Sequence, residues 1–424
     1  MDKLLILGGN PTEIEIVERA KKLGLYTIVT DNHTDWKLSP AKQCADEGWN
    51  ISWSDVDTLA KKCQEENVGG VIAGFSEFRV DNMIQLCDRL HFPCSLTMHQ
   101  LDVTRDKLLF KETCRKYGLN TIAEHHIDDS NITFPVIVKP VDRAGSIGIN
   151  VAHNKEELTT YYETALSLSP SKQVIIEDFI NDGVKVDVYY YVKDNEITFL
   201  GSSDTVMCKG DLGAKILQKA WPFKSKYEQD YLKQVDGKVR NMFNGLAINN
   251  AYVTMSMFYR NGDFYFFEAG FRLSGEMSYH YYEKISGINY LDSMLKHSMG
   301  YKDNADYKEV LNCNNHCIVL NFFGLDGDVD IIKGLEELKQ NESIYDIQLY
   351  VSKDDVITNS TNVFKKIAMF TIVTESVEDL LATVDNVNNI FDVSDKKGNS
   401  LVYEKVTCQE LTQYYQIESK HTLS

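Results

Sequence analysis

The stretch FPVIVKPVDRAGSIG (134–148) decides how this chain is read. Val136, Ile137 and Val138 form an apolar strand that Lys139 and Pro140 bring to an end. Directly after it comes Asp142-Arg143-Ala144-Gly145-Ser146-Ile147-Gly148, whose glycines permit positive φ and close backbone approach. A lysine leaving a strand beside a loop of backbone N–H groups suits a polyphosphate: the ammonium is a compact point charge, and the amides cover the terminal phosphates. A lysine heading for solvent before an ordinary surface hairpin would look the same. The weight therefore rests on the segments around it.

Upstream lies Lys107 in TRDKLLFK, on a helix that also carries Lys111. Downstream come VIIEDF (174–179), the strand GVKVDVYYYV (183–192), and AYVTMSMFYRNGDFYFFEAGFR (251–272), a hairpin turned at Asn261-Gly262. Two lysines, a glycine-containing loop, then a carboxylate shortly before an arginine form an order suited to clamping a nucleoside triphosphate between two sheets.

In order and spacing these segments resemble the ATP-grasp superfamily and, within it, the carboxylate–amine ligases that join amino acids or build peptides. The resemblance runs from the first strand to about Glu404. It implies ATP held by Lys107, Lys139, Arg143, Gly145, Ser146 and Ile147 around the phosphates. Glu177, Asp178, Phe179 and Ile180, with Ile176 nearby, would face the adenine, and Asp187 the ribose hydroxyls. Members end the last hairpin with Glu-x-Asn-x-Arg, the Glu and Asn holding two magnesium ions. Here it reads Glu268-Ala-Gly270-Phe-Arg272, and the preceding strand offers only Thr254 and Ser256 where a further carboxylate is usual. The resemblance implies Glu268 as metal ligand for magnesium or manganese, with Glu268 and Arg272 as the catalytic pair and Glu276 as a compensating ligand. Arg272 is fitted to stabilise an acyl phosphate and the oxyanion that follows it. Ser274 and Gly275 would hold a substrate carboxylate. His280 would touch substrate only if it is not a structural histidine. Lys209 and Lys215 belong to a polar loop, read first as solvated.

The fold expected is α/β and α+β: a Rossmann-like pre-ATP-grasp domain (1–100), a two-subdomain ATP-grasp fold (101–300, lid roughly 120–180), and a small C-terminal α/β cap domain (305–424). LLIL (4–7), YTIVT (26–30) and GVIAG (70–74) alternate with helical patterns at 55–66 and 79–90, which predicts a parallel sheet covered on both faces. Gly8-Gly9-Asn10 is not a dinucleotide fingerprint, so bound NAD is not expected. Single helices are predicted over 155–166, 226–243 and 376–390.

Composition sets the outer limits. At 424 residues, with 43% hydrophobic residues and seven prolines, the chain has material for several ordered domains. A net charge of −18 argues against a general nucleic-acid binder, which needs a basic face. No apolar run approaches a transmembrane length, and KLLILGG is too soon broken by glycines for a signal peptide, so a cytoplasmic protein is expected. Nine scattered cysteines read as reduced thiols, and Cys313, His316 and Cys317 lack the second cluster a zinc site needs. The partners implied are a small carboxylate and an amine, amino acids first among them, with no nucleic acid, no membrane and a possible homodimer. Two alternatives stay open: a protein that binds ATP without ligating, and an enzyme of carboxylase or carbamoyl-phosphate type.

Overall fold

The computed structural model describes residues 1–143, 147–209, 217–307, 315–359 and 364–415. Ala144, Gly145, Ser146, Lys215 and Cys313 lie outside the described residues.

The N-terminal alternation builds a parallel sheet in the order Glu47–Trp49, Tyr26–Thr30, Lys3–Leu7, Val68–Ile72. Successive strand side chains point to opposite faces. Leu4 and Ile6 therefore join one core while Leu5 and Leu7 join another, and all four are fully buried. The strand is apolar throughout because helices cover both sides.

Residues 124–178 form a smaller antiparallel sheet in the order Glu124–His125, Val174–Asp178, Val136–Pro140, Asn150–Ala152. The helix Lys155–Leu168, capped by the Asn154 side chain on the Glu157 N–H, packs on it through Leu158 and Ala165. Val136, Val138 and Ile176 complete a core of its own.

The third sheet is the spine of the molecule. It runs Asp263–Gly270, Ala251–Arg260, Val184–Lys193, Glu196–Asp204, Gln218–Phe223, His316–Phe323, Lys366–Thr374, Ile344–Leu349, with Val206–Met207 pairing at one side. The strands of the C-terminal segment thus extend the sheet that carries the last hairpin, because Gln218–Phe223 pairs antiparallel with His316–Phe323. Parity works here as in the first sheet: Val186, Val188 and Tyr190 enter one core, Tyr189 and Tyr191 the other. The Tyr190 hydroxyl, fully buried, is satisfied by Tyr231 Oη at 2.7 Å and Asp236 Oδ1 at 2.6 Å. Both hairpin turns follow their turn residues: Asp194 and Asn195, then Asn261 and Gly262, have positive φ at both central positions.

One predicted helix differs. The pattern over 226–243 is split into Glu228–Gln234 and Asp236–Gly245, with Val235 at φ −132° leaving helical geometry. Asp236 is drawn inward to the Tyr190 hydroxyl at that point, a tertiary contact that local periodicity does not carry. Among the described residues, no helix is long and apolar enough to cross a membrane.

Candidate active site

A cavity of about 580 Å³ opens between the small antiparallel sheet and the long sheet. Lys107, Lys139, Arg143, Glu177, Asp178, Phe179, Ile180 and Glu268 all line it, so positions singled out in four separate segments meet in one place.

Glu177 organises the cations. It is 1% exposed, with Lys139 Nζ 2.5 Å from one carboxylate oxygen and Lys111 Nζ against the other. Lys111 also donates to Ile122 O at 2.7 Å and lies 3.2 Å from Glu124. Burial pushes the Glu177 carboxyl up, but the Lys139 and Lys111 ammonium groups more than offset this and hold it below its ordinary value. The carboxylate is therefore engaged by cations rather than free to face a base. The backbone after it is partly committed too, since Asp178 N–H donates to Ala123 O and Phe179 N–H to Pro135 O.

Lys107 starts the helix Lys107–Lys116, whose cap is Asp106 accepting from the Leu108 and Leu109 N–H groups. From there its Nζ donates to Val141 O at 3.1 Å and Arg143 O at 2.8 Å, the two carbonyls at the start of the loop after Lys139. Burial and the neighbouring Lys139 charge lower its pKa, with Glu268, Glu177 and Glu77 acting in the other direction. Two like charges in one cavity are costly without an anion between them. Arg143 is anchored through Nε on Leu168 O at 2.8 Å, the end of the covering helix.

Glu268 faces the cavity with its side chain exposed. Across the hairpin it pairs in register with Ser256, which in turn pairs with Asp187 on the next strand. The Asp187 oxygens are already taken: Ser256 Oγ donates to Oδ1 at 2.5 Å, and Lys185 Nζ and Thr205 Oγ1 approach Oδ2 at 2.6 and 3.3 Å. Asp187 is 3% exposed and does not line the cavity. Lys185, two residues earlier on the same strand face, reaches it in its place. The ribose assignment at Asp187 thus falls on a side chain sealed beneath the wall. An added Cβ at Gly270 would meet nothing within 4 Å, while the neighbouring Thr254 Oγ1 is buried without a hydrogen-bond partner. This donor set suits one divalent ion on Glu268, with room left open where an asparagine would stand. Among the described residues, no group of three or more His, Cys, Asp or Glu side chains could hold a metal.

Other expectations land elsewhere. Arg272 lies apart from this cavity, beside Val71, Ile72 and His297, where Nη1 donates to Leu273 O at 2.9 Å and Nε is buried with no partner. Ile147 is 43% exposed and does not line the cavity, whereas Ile149 does. His280 is structural: Nε2 lies 2.8 Å from Glu15 and Nδ1 3.4 Å from Asp346, joining the first helix, its own helix and the C-terminal segment. Lys209 lies 3.0 Å from Glu410, and its N–H bonds the Glu404 carboxylate, at the C-terminal end of the described chain. Glu276 does not line this cavity, and burial, with the Asp187 charge, raises its pKa.

Sequence reasoning missed Lys185, Gln218, Phe258 and Phe267 on the cavity wall. Phe258 and Phe267 stack across the hairpin with centroids 5.0 Å apart. The alternation of Phe258 with Ser256 was the available signal; Phe267 directly precedes Glu268 and shares the wall with it where the register shifts between Ser256 and Met257.

Comparison with known proteins agrees with this geometry. A family profile described as the D-ala D-ala ligase C-terminus matches residues 110–240. A formate-dependent phosphoribosylglycinamide formyltransferase of Prochlorococcus marinus is 29% identical over 189 residues, covering 42% of this chain and 48% of the relative. The chain thus matches about half the length of that relative. Among solved structures, an L-amino acid ligase from Bacillus licheniformis superposes with TM-score 0.77 at 17% identity, covering 93% of this chain and 99% of that one. A phosphoribosylglycinamide synthetase from Anaerococcus prevotii gives 0.72 at 19%, covering 93% and 100%. The chain has the fold of these ATP-grasp structures, and the cavity lies between two of its sheets. The likeness extends to a phosphoribosylglycinamide synthetase and to an L-amino acid ligase alike, so the shared fold does not select a substrate.

Proposed function

We propose that the chain is an ATP-dependent ligase that activates a carboxylate as an acyl phosphate and joins it to an amine, releasing ADP and phosphate. The observation that supports this most is the convergence of Lys107, Lys139 and Glu268 on one cavity between two sheets. The apolar side chains of Ile137, Ile149, Phe258 and Phe267 suit the faces of an adenine ring. Its edge would be read by the backbone around Asp178–Ile180. Lys139, held in place by Glu177, and Lys107 would neutralise the phosphates, and Lys185 and Gln218 would approach the ribose. A magnesium or manganese ion on Glu268 would supply charge neutralisation between the terminal phosphates. Little covalent chemistry is asked of the protein: transfer of the γ-phosphoryl group to a carboxylate needs positioning and charge compensation. The partnerless Arg272 Nε is a donor available to an anion on the substrate side.

The test is magnesium-dependent ADP release stimulated by a mixture of carboxylic acids and amines, followed by mass analysis of the condensed product. Replacing Glu268 by Gln should abolish it. Serine at 256 and glycine at 270 support a second reading, an ATP-binding protein that does not ligate. In that case ATP would raise the unfolding temperature while no acid and amine pair released ADP. Bicarbonate-dependent ADP release would instead indicate a carboxylase.

A further inference from the structure

Nucleotide binding as proposed leaves Lys111 without a task. It follows Lys107 on the helix Lys107–Lys116 at a spacing that puts both on one face, a turn apart. Lys107 lines the cavity, whereas Lys111 does not and its side chain is 1% exposed. A buried ammonium is costly unless its partners are fixed. Here they are: Nζ donates to Glu177 Oε1 and, at 2.7 Å, to Ile122 O, and it lies 3.2 Å from Glu124. Glu124 is held in turn by Arg115 Nη1 at 2.8 Å, from the next turn of the same helix.

The two cations on Glu177 are attached differently. Lys111 is tied by hydrogen bonds to a carboxylate oxygen and a backbone carbonyl. Lys139 Nζ lies 2.5 Å from the other oxygen, Oε2, yet that oxygen accepts no hydrogen bond, so the contact is one of charge alone. Lys139 also lines the cavity, near the end of the strand Val136–Pro140. A phosphate there would draw Lys139 toward it, and away from Glu177. Glu177 is 1% exposed on the strand Val174–Asp178 and has no water to turn to. A buried carboxylate that loses its cations takes up a proton or resists the loss.

We propose that Lys111 is a positioning residue for the nucleotide: it stays on Glu177 and keeps that carboxylate ionised while Lys139 turns to the phosphates. Lys111 touches no part of the ligand and acts through Glu177. One buried anion carries two ammonium groups because the first holds the carboxylate and the second serves the cavity. The role rests on the nucleotide site of the ligase reading, and binding tests it without turnover.

Without Lys111 the exchange of partners requires a proton. The Lys139 and Lys111 charges now hold the Glu177 carboxyl below its ordinary value against burial. With Lys111 replaced and Lys139 on a phosphate, burial is left unopposed, and the adjacent Glu124 pushes the same way. Glu177 then binds a proton from solvent as the nucleotide enters, so binding weakens as pH rises. Lys107, whose pKa burial and the Lys139 charge lower, also gains proton affinity from a bound anion. It does so with or without Lys111, so the difference between the two chains reports Glu177.

Titration calorimetry of a non-hydrolysable ATP analogue with magnesium, at pH 8 in two buffers of different ionisation heat, counts the protons taken up. Lys111→Met should bind the analogue about tenfold or more weaker than the unaltered chain. It should take up roughly half a proton or more beyond the unaltered chain, with affinity falling by up to about tenfold per pH unit above pH 7. Lys111→Arg should recover part of both, because it restores the cation. Combining Lys111→Met with Glu177→Gln should regain affinity and lose the excess proton, since no carboxylate remains to be neutralised. Where circular dichroism shows Lys111→Met alone to be unfolded, this doubly altered chain decides. Binding close to that of the unaltered chain supports the role, and binding weaker by about tenfold or more overturns it. The role is also overturned if Lys111→Met binds like the unaltered chain, or binds weakly with no excess proton and no pH dependence, as a purely structural lysine would. A folded, unaltered chain that binds no analogue removes the nucleotide site and this role with it. Full binding in Lys111→Met removes the role alone and leaves the site standing.

Discussion

Lys139 Nζ lies 2.5 Å from a Glu177 carboxylate oxygen, and the other oxygen is held by Lys111. A single buried anion thereby fixes two cations that arrive from a strand and a helix. Only Lys139 of the two lines the cavity. Glu177 acts as the support that keeps a charged lysine in the cavity wall, and burial makes this arrangement sensitive to any loss of charge balance.

Glu177→Gln should therefore cost stability. Removing one partner from a buried pair leaves uncompensated charge, which is destabilising by about 3–5 kcal/mol. Urea unfolding measures it directly. An unchanged midpoint would show that Lys111 and Lys139 need no internal counterion.

Glu268→Gln should behave in the opposite way. The side chain is exposed to the cavity and makes no ion pair within 4.0 Å among the described residues. Stability should change by no more than about 0.5 kcal/mol. Magnesium-dependent tightening of ATP binding, followed by titration calorimetry, should disappear. Retained magnesium dependence would move the metal site elsewhere.

Gly270→Asn should fit. An added Cβ meets nothing within 4 Å, and residue 270 shares a strand face with Glu268. The new carboxamide oxygen should lower the magnesium concentration needed for half-maximal nucleotide binding. If that concentration stays the same or rises, the open space beside Thr254 is not a metal position.

Phe258→Ala should raise the KM for ATP by about tenfold, since it removes an aromatic wall stacked on Phe267. An unaltered KM would place the base away from the hairpin.

His280 predicts a pH effect. Burial lowers its pKa, but hydrogen bonds and charge from Asp346 and Glu15 outweigh this and raise it to about 10. An unfolded histidine titrates near about 6.5. Its stabilising contribution is thus fully present below that pH and is lost as pH rises through about 10. The stability difference between the unaltered chain and His280→Leu should shrink across that window. A difference that stays constant from pH 6 to pH 10 would mean His280 is held neutral.

Much of this was legible in the chain. Parity alone placed Leu4 to Leu7 and Val186 to Tyr191 on two faces, because strand geometry fixes the alternation before any partner is known. Asn261-Gly262 gave its hairpin because few residues tolerate positive φ at both turn positions. Lys107, Lys139 and Glu268 could be picked out because each stands at the end or start of an element, where a side chain is free to serve a cavity.

What failed to be legible depended on depth within a strand face and on distant partners. Lys185 and Asp187 share one face, yet the first reaches the cavity and the second lies sealed by Ser256 and Thr205. Periodicity distinguishes faces and says nothing about how far along a face the cavity extends. His280 looked like any histidine between tyrosines until Glu15 and Asp346 were brought beside it from far away in the chain.

By itself the sequence determined most elements, their faces, and a short list of charged positions that line one cavity, since these follow from local backbone geometry and residue chemistry. Only the tertiary structure decided that Glu177 serves Lys139 and Lys111, that the C-terminal strands continue the central sheet, and that Lys366 reaches the Gly275 carbonyl. Such contacts join segments tens of residues apart, and their energy depends on burial that exists only once the sheets have closed on one another.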